Sequence, residues 1–222
     1  IGRAWERQAL IKARPCAGDR ALGDTLLERL RPVVFPRYFD DETLDDIRGT
    51  KHQAERMVAS RGDTEREVKL GRGGIRDIEF TVQMLQMLNG GRFPELRTRN
   101  TLAAIAALGH HDVLRPFDAD TLARNYTFLR KIEHRLQVED GRQRHALPTQ
   151  PQAVAELGRR LGFDSAEAFL RVYREHTDST RRILDRFLAA KGAGKLWVGD
   201  LLNPHADGAA SIEQLARMGF QQ

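Results

Sequence analysis

Lys69, Arg72 and Arg76 are interleaved with Gly71, Gly73 and Gly74 immediately before a helical run, and these residue types together could hold an anion. Glycine admits backbone angles closed to other residues and lets a partner approach bare amides. The run that follows places Ile75, Ile78, Val82, Leu85 and Leu88 on one stripe, so its unpaired N-terminal N–H groups point back at the glycines. A helix N-terminus carries partial positive charge, and the three cations add full charges to it. The same residues also allow a plain turn, with Arg76 paired to Asp77 or Glu79. The spacing fits neither named phosphate loop. No Lys-Ser/Thr pair follows Gly74, and no strand alternation surrounds the motif.

A second constellation lies on a helix expected from Asp118 or Asp120 to about Val138. Arg130, Glu133, His134 and Gln137 recur there at three- and four-residue steps, which puts them on overlapping sides of the same turns. Such a row could order a substrate or a neighbouring domain, or it could be a solvated face. Glu79, between Ile78 and Phe80 on an apolar helix, is the carboxylate expected to be buried; burial requires a cation, and Arg130 is the choice. No metal site is expected. His110 and His111 are adjacent and cannot share one helical face, and neither has a carboxylate at a helical ligand spacing. Asp118-Ala119-Asp120 superficially matches the Asp-x-Asp pair with which nucleotidyltransferases hold two Mg²⁺ ions. It follows Pro116 at a helix start, without a Gly-Ser turn or a strand, and reads as a cap.

The elements that must position these residues are helices. Almost every periodic segment has a helical period and β-branched alternation never persists, so the expected class is all-α, an irregular helical bundle without substantial β-sheet. Helices are expected from about Arg3 to Arg14, then from a cap at Asp19 to before Pro32 with Leu22, Leu26 and Leu30 inward. Further helices run from Asp41 to about Ser60 (core residues Leu44, Ile47 and Met57), from Ile75 to Asn89, and from Thr98 or Asn100 with Leu102, Ile105 and Leu108 inward. Leu122, Tyr126, Leu129, Ile132 and Leu136 form the buried set of the helix after Asp118. A short helix follows from Gln152 to Leu161, and a long one from Ser165 to Lys191. Residues 1–191 read as the helical domain, and residues 192–222 as a linker and the start of the next segment.

Composition narrows the class. With 222 residues and 41% hydrophobic content the chain can bury one sizeable core or two small ones. Its 36 Lys and Arg against 31 Asp and Glu give +5, a balance that suits an acidic protein or a nucleotide as well as nucleic acid. Basic and aromatic residues are not interleaved, which argues against nucleic acid. Cys16 is the lone cysteine, so no intrachain disulfide or cysteine-based metal cluster can form, and a reducing cytoplasm fits. No apolar run approaches the ~18 to 20 residues that cross a bilayer. The chain starts without Met, directly in a helical pattern, and is expected to come from something longer.

Four blocks carry a resemblance. Lys69-Leu70-Gly71-Arg72-Gly73-Gly74-Ile75-Arg76-Asp77-Ile78-Glu79-Phe80 resembles the signature of the glutamine synthetase adenylyltransferase family, also called the adenylyl-removing enzyme. Trp5-Glu6-Arg7-Gln8-Ala9-Leu10-Ile11-Lys12-Ala13-Arg14 with Gly18-Asp19 is similar to the stretch after that family's catalytic domain. Tyr126-Thr127-Phe128-Leu129-Arg130-Lys131-Ile132-Glu133-His134-Arg135-Leu136-Gln137 is similar to its later helix, and His145-Ala146-Leu147-Pro148 to the turn beyond. The related uridylyltransferases share the glycine segment and fit the other blocks less well.

The resemblance implies a two-headed enzyme that attaches AMP from ATP to a tyrosine of glutamine synthetase and removes it with phosphate, releasing ADP. It implies Mg²⁺, ATP, ADP and phosphate bound mainly outside this chain, and as partners an upstream nucleotidyltransferase domain, glutamine synthetase and a PII-type signalling protein. The Gly-Arg-Gly-Gly-Ile-Arg-Asp form resembles the first, deadenylylating half. The family's metal-binding carboxylates have no counterpart here, so the resemblance places them upstream of Ile1 and leaves this chain without catalytic residues and inactive alone. Lys69, Arg72, Gly73, Gly74 and Arg76 become candidates for phosphate, nucleotide or domain contact, with Asp77, Glu79, Arg130 and Glu133 as supporting ion pairs. The alternative is a helical adaptor that docks glutamine synthetase, a PII-type regulator or the other catalytic half without touching nucleotide.

Overall fold

The computed structural model describes residues 4–36, 41–59, 65–140 and 146–189. The expected linker at 192–222 lies outside them, as do His145 and the side chain of Leu44. The helices are α1 (Ala4–Leu10), α2 (Arg20–Val34), α3 (Asp41–Ala59), α4 (Ile75–Asn89), α5 (Thr101–His110), α6 (Pro116–Asp140), α7 (Pro151–Arg160) and α8 (Ala166–Ala189), with a 3₁₀ turn at Pro94–Leu96. No strand occurs among the described residues; a lone bridge pairs Glu67 with Ala146.

The order of these helices in space follows from α4. Ile75, Ile78, Val82 and Leu85 of its first face join a core built from α5 to α8, with Ile105, Leu108, Leu122, Leu129, Ile132 and Phe169. Phe80, Met84 and Met87 of its other face pack with Ile11, Val34, Ile47 and Leu184 in a second core. A helix with apolar residues on two faces is buried on both, and only the stripe of Arg76, Glu79 and Gln83 stays open to a cleft. The single stripe expected from the sequence described only half of it. The polar residues this burial traps are paired internally: Thr81 donates to the Asp77 carbonyl (2.8 Å) and Gln86 to the Thr98 carbonyl (2.8 Å), which ties down the segment after α4.

Three helix starts use the caps that the sequence offers. Asp19 accepts from the Leu22 amide, Asn100 from that of Ala103 and Ser165 from that of Ala168, at 3.1, 3.0 and 3.1 Å. Two helices depart from expectation. The α6 helix begins at Pro116, whose fixed φ suits a first turn, and Asp118 is buried, holding both guanidinium nitrogens of Arg186 (2.9 and 3.2 Å) instead of capping. The α2 helix runs past Pro32, because a proline in the last turn forfeits a single bond and the Phe35 amide still reaches the Arg31 carbonyl (2.8 Å). Its Leu22 and Leu26, expected inward, are 68% and 55% exposed. Met57 and Leu102 are also exposed; at α5 the smaller Ala104 takes the inward place.

Glycine is required at each end of α4, for different reasons. Gly90 closes α4 with right-handed angles (φ −68°), so it is no left-handed stop; a Cβ there would lie 2.5 Å from the Phe35 ring. Gly73 is left-handed (φ +72°), and a Cβ would lie 1.9 Å from the Thr177 carbonyl oxygen of α8. Gly73→Ala should therefore combine about 1–2 kcal/mol of backbone strain with about 1–3 kcal/mol of overpacking. Gly18→Ala, at φ +73° in open space, should show the strain alone. Urea unfolding of the two variants checks this; equal losses would contradict the close approach of the loop to α8.

Candidate functional site

The glycine motif is a coil wound onto the start of α4. The amide of Gly71 reaches the Glu67 carbonyl (2.9 Å), Gly74 that of Gly71 (3.0 Å), Ile75 that of Val68 (3.1 Å) and Arg76 that of Lys69 (3.0 Å). The Gly73 amide donates to Asp77 Oδ2 at 2.8 Å. Every amide that was expected to face an anion is thus taken by the chain itself, and Gly71, Gly73 and Gly74 are buried. The helix dipole is answered by Asp77 from within. This corrects the picture of an open backbone cradle: only side chains remain to meet a ligand.

Those side chains point in different directions. Lys69 Nζ lies 3.4 Å from Glu133 of α6, and Arg72, 69% exposed, lies 3.8 Å from Asp185 of α8. Arg76 is exposed, and among the described residues no carboxylate pairs with it. It lines a cleft of about 300 Å³ between α1, α3 and α4, together with Trp5, Thr50, Leu70, Glu79 and Gln83.

Beneath the coil lies a charge network. Asp77, 2% exposed, meets Lys51 of α3 through Oδ1 and has Arg181 of α8 3.6 Å from Oδ2. Lys51 also lies 3.4 Å from Glu55; Arg181 pairs with Glu55 and sits 2.8 Å from Asp185. Burial disfavours charge on Glu55, yet Arg181 and Lys51 outweigh it and hold its pKa below the usual value. Burial likewise acts against the Arg181 charge and is outweighed by Glu55 and Asp185, which raise its pKa.

The second constellation is assembled differently from the expectation. Glu133, 1% exposed, is a second buried carboxylate of α6 besides Asp118, and Arg130 pairs with it rather than with Glu79. Glu79 is half-buried and accepts from the Tyr126 hydroxyl (3.3 Å), whose pKa is raised by burial and by the nearby carboxylate. Lys51, Glu55, Arg181 and Asp185 were missed by the sequence reading. The i,i+4 spacing of Lys51 with Glu55 and of Arg181 with Asp185 was visible, but that spacing is usually a solvated pair and nothing in it signals a buried neighbour.

The family model described as GlnD PII-uridylyltransferase matches residues 44–188, which span the first core, the glycine coil and the charge network. The chain belongs to that family. Among curated relatives it is similar to a bifunctional glutamine synthetase adenylyltransferase/adenylyl-removing enzyme of Rhodopseudomonas palustris, 46% identical over 175 residues. That alignment covers 77% of this chain and 17% of the relative. The protein of the same name from a second strain is 44% identical over 226 residues, covering 100% of this chain and 23% of the relative, and that of Mesorhizobium japonicum is 36% identical over 232 residues with the same coverage. The chain spans about a fifth of the length of the curated relatives it matches.

Breaking a buried ion pair from one side leaves the other charge stranded, at a cost of about 3–5 kcal/mol. Asp77→Ala should lose stability on that scale in urea unfolding, and Lys51→Met added to it should recover part of the loss. No loss in the single variant would place Asp77 in solvent. A pH dependence follows as well. His176 has a depressed pKa from burial and from Arg124, so its neutral form is favoured in the folded state and its contribution is lost as pH falls below the ordinary 6.5. Glu55, also depressed, holds its contribution above the ordinary 4.5 and loses it as pH falls further through the folded-state pKa. Unfolding free energy should decline in two stages from neutral pH, and His176→Gln should remove the first; an unchanged profile in that variant would contradict the assignment.

Proposed function

We propose that this chain is the helical domain of a bifunctional glutamine synthetase adenylyltransferase/adenylyl-removing enzyme, and that it supports the nucleotidyltransferase site of the first, deadenylylating half. The observation that carries this is the 46% identity over 175 residues to a protein of that name, which far exceeds a shared glycine motif. The parent enzyme would transfer AMP from ATP to a tyrosine of glutamine synthetase and remove it with phosphate, under control of a PII-type protein in the cytoplasm. Among the described residues no helix is long and apolar enough to cross a membrane.

The donor set here does not fit the Mg²⁺ that such chemistry uses. Asp77 is committed to Lys51 and the Gly73 amide, Glu133 to Arg130 and Lys69, and no group of three possible ligands occurs among the described residues. This supports placing the metal-gripping carboxylates in a nucleotidyltransferase domain of the parent. Nucleotidyl transfer rests on positioning and on neutralising developing charge, and cations outside the metal site contribute to both. Arg72 and Arg76 are the exposed cations beside amides of Gly73 to Arg76 that are already bonded, so they are the groups assigned to a phosphate or nucleotide of that domain, with Lys69 in support.

In the full-length parent enzyme, Arg72→Ala and Arg76→Ala should each lower deadenylylation turnover on the order of tenfold or more. Melting temperature should stay nearly unchanged, because neither guanidinium is buried. Adenylylation by the other half should be spared. Full deadenylylation activity in both variants would overturn this role, and loss of adenylylation alone would assign the domain to the other half.

A further inference from the structure

The C-terminal end of α4 carries a second surface that the proposed activity does not use. A groove of about 560 Å³ lies between α1, α2 and the segment 94–99. Its apolar wall includes Leu10, Leu27, Leu30, Val34 and Phe35. Three guanidinium groups, those of Arg31, Arg97 and Arg99, line it, and among the described residues no carboxylate does.

The charges there are poorly compensated. Arg97 is fixed by the carbonyls of Gly90 (2.6 Å) and Gly91 (3.4 Å) and lies over the Phe35 ring, 5.9 Å from its centre. Burial lowers its pKa, and the like charge of Arg31 lowers it further against the opposing pull of Glu95. Arg31 has Glu28 at 3.9 Å, with both side chains at least half exposed, and Arg99 reaches the Ala13 carbonyl at 3.5 Å. Pairs of that kind contribute little and leave the guanidinium donors open to a stronger acceptor.

The leucine row of α2 extends this surface. Leu26 and Leu22 stand one and two turns before Leu30 on the same side of the helix, and both are largely exposed. An apolar helix face left outside both cores, beside a groove lined by three cations and, among the described residues, by no acid, is complementary to one kind of partner. We infer that α2 and the 94–99 segment form a docking surface for an acidic, amphipathic helical segment of a protein, with apolar anchors against Leu26, Leu30 and Phe35 and flanking carboxylates on Arg31, Arg97 and Arg99. Helix-in-groove recognition uses this division between apolar anchors and a polar rim. The inference is independent of the activity proposed for the glycine coil, because it shares none of its residues.

The test uses the full chain and a fluorescent peptide of about 16 residues, long enough to sample helix, with leucine at every third or fourth position and glutamate on both flanks. The control peptide carries lysine for every glutamate. Fluorescence anisotropy should show saturable binding of the acidic peptide alone, weakened by added salt. Arg31→Glu with Arg99→Glu should weaken it about tenfold or more, and Leu30→Asp should weaken it as well, while millimolar inorganic phosphate leaves it bound. Arg97 is left intact because it holds the end of α4. The proposal is overturned if neither peptide binds or if both bind equally. It is also overturned if phosphate displaces the peptide and Leu30→Asp has no effect, which would make the groove a simple anion site.

Discussion

A single buried carboxylate organises this domain. Asp77 closes the coil before α4 by accepting the Gly73 amide, and on its other side it holds Lys51 of α3 within reach of Arg181 of α8. A carboxylate at that depth persists only with its partners in place. The left-handed turn at Gly73 follows from the same arrangement, since the coil lies against the Thr177 carbonyl with no room for a side chain. Because the carbonyls of Val68, Lys69 and Gly71 and the Asp77 carboxylate take up the amides of Gly73 to Arg76, the side chains of Arg72 and Arg76 are left to project from a bonded helix start.

That base is stiffened by the two cores that share α4 as a common wall. Packing on both faces fixes the helix against α5 to α8 on one side and α1 to α3 on the other. With 15 residues at 1.5 Å each, α4 spans roughly 22 Å, so its two ends present well-separated surfaces. The N-terminal end carries the exposed arginines of the coil and the Trp5-lined cleft. The C-terminal end, closed by Gly90 against Phe35, carries the arginine-rimmed groove. One rigid element thus separates a surface suited to charge neutralisation from one suited to docking.

Much of the fold was legible because helix periodicity and caps are local. The caps at Asp19, Asn100 and Ser165 and the buried set Leu122, Leu129, Ile132 and Leu136 depend on residues within a turn or two of each other. What failed depends on tertiary neighbours. Leu22 and Leu26 have the spacing of a core stripe, yet no neighbouring helix covers them among the described residues. Glu79 was expected to be the buried acid because its neighbours are apolar, but it faces the cleft beside Arg76, and on the buried faces of the helix the decisive matter is which cation arrives from another helix. Lys51 arrives 26 positions away, at Asp77. The cations of the glycine motif were readable, whereas the occupation of its amides was not, because the acceptors at Val68 and Lys69 are set by how the coil winds.

Amide hydrogen exchange at Gly73, Gly74, Ile75 and Arg76 in the full chain tests the central claim most directly. If the coil is bonded internally around Asp77, these four amides exchange only through large-scale opening, with protection close to that of the α4 interior and no change when phosphate is added. Exchange at the rate of an exposed loop, or protection that appears only with phosphate, would show that the amides are free to hold an anion and that Asp77 does not organise the site.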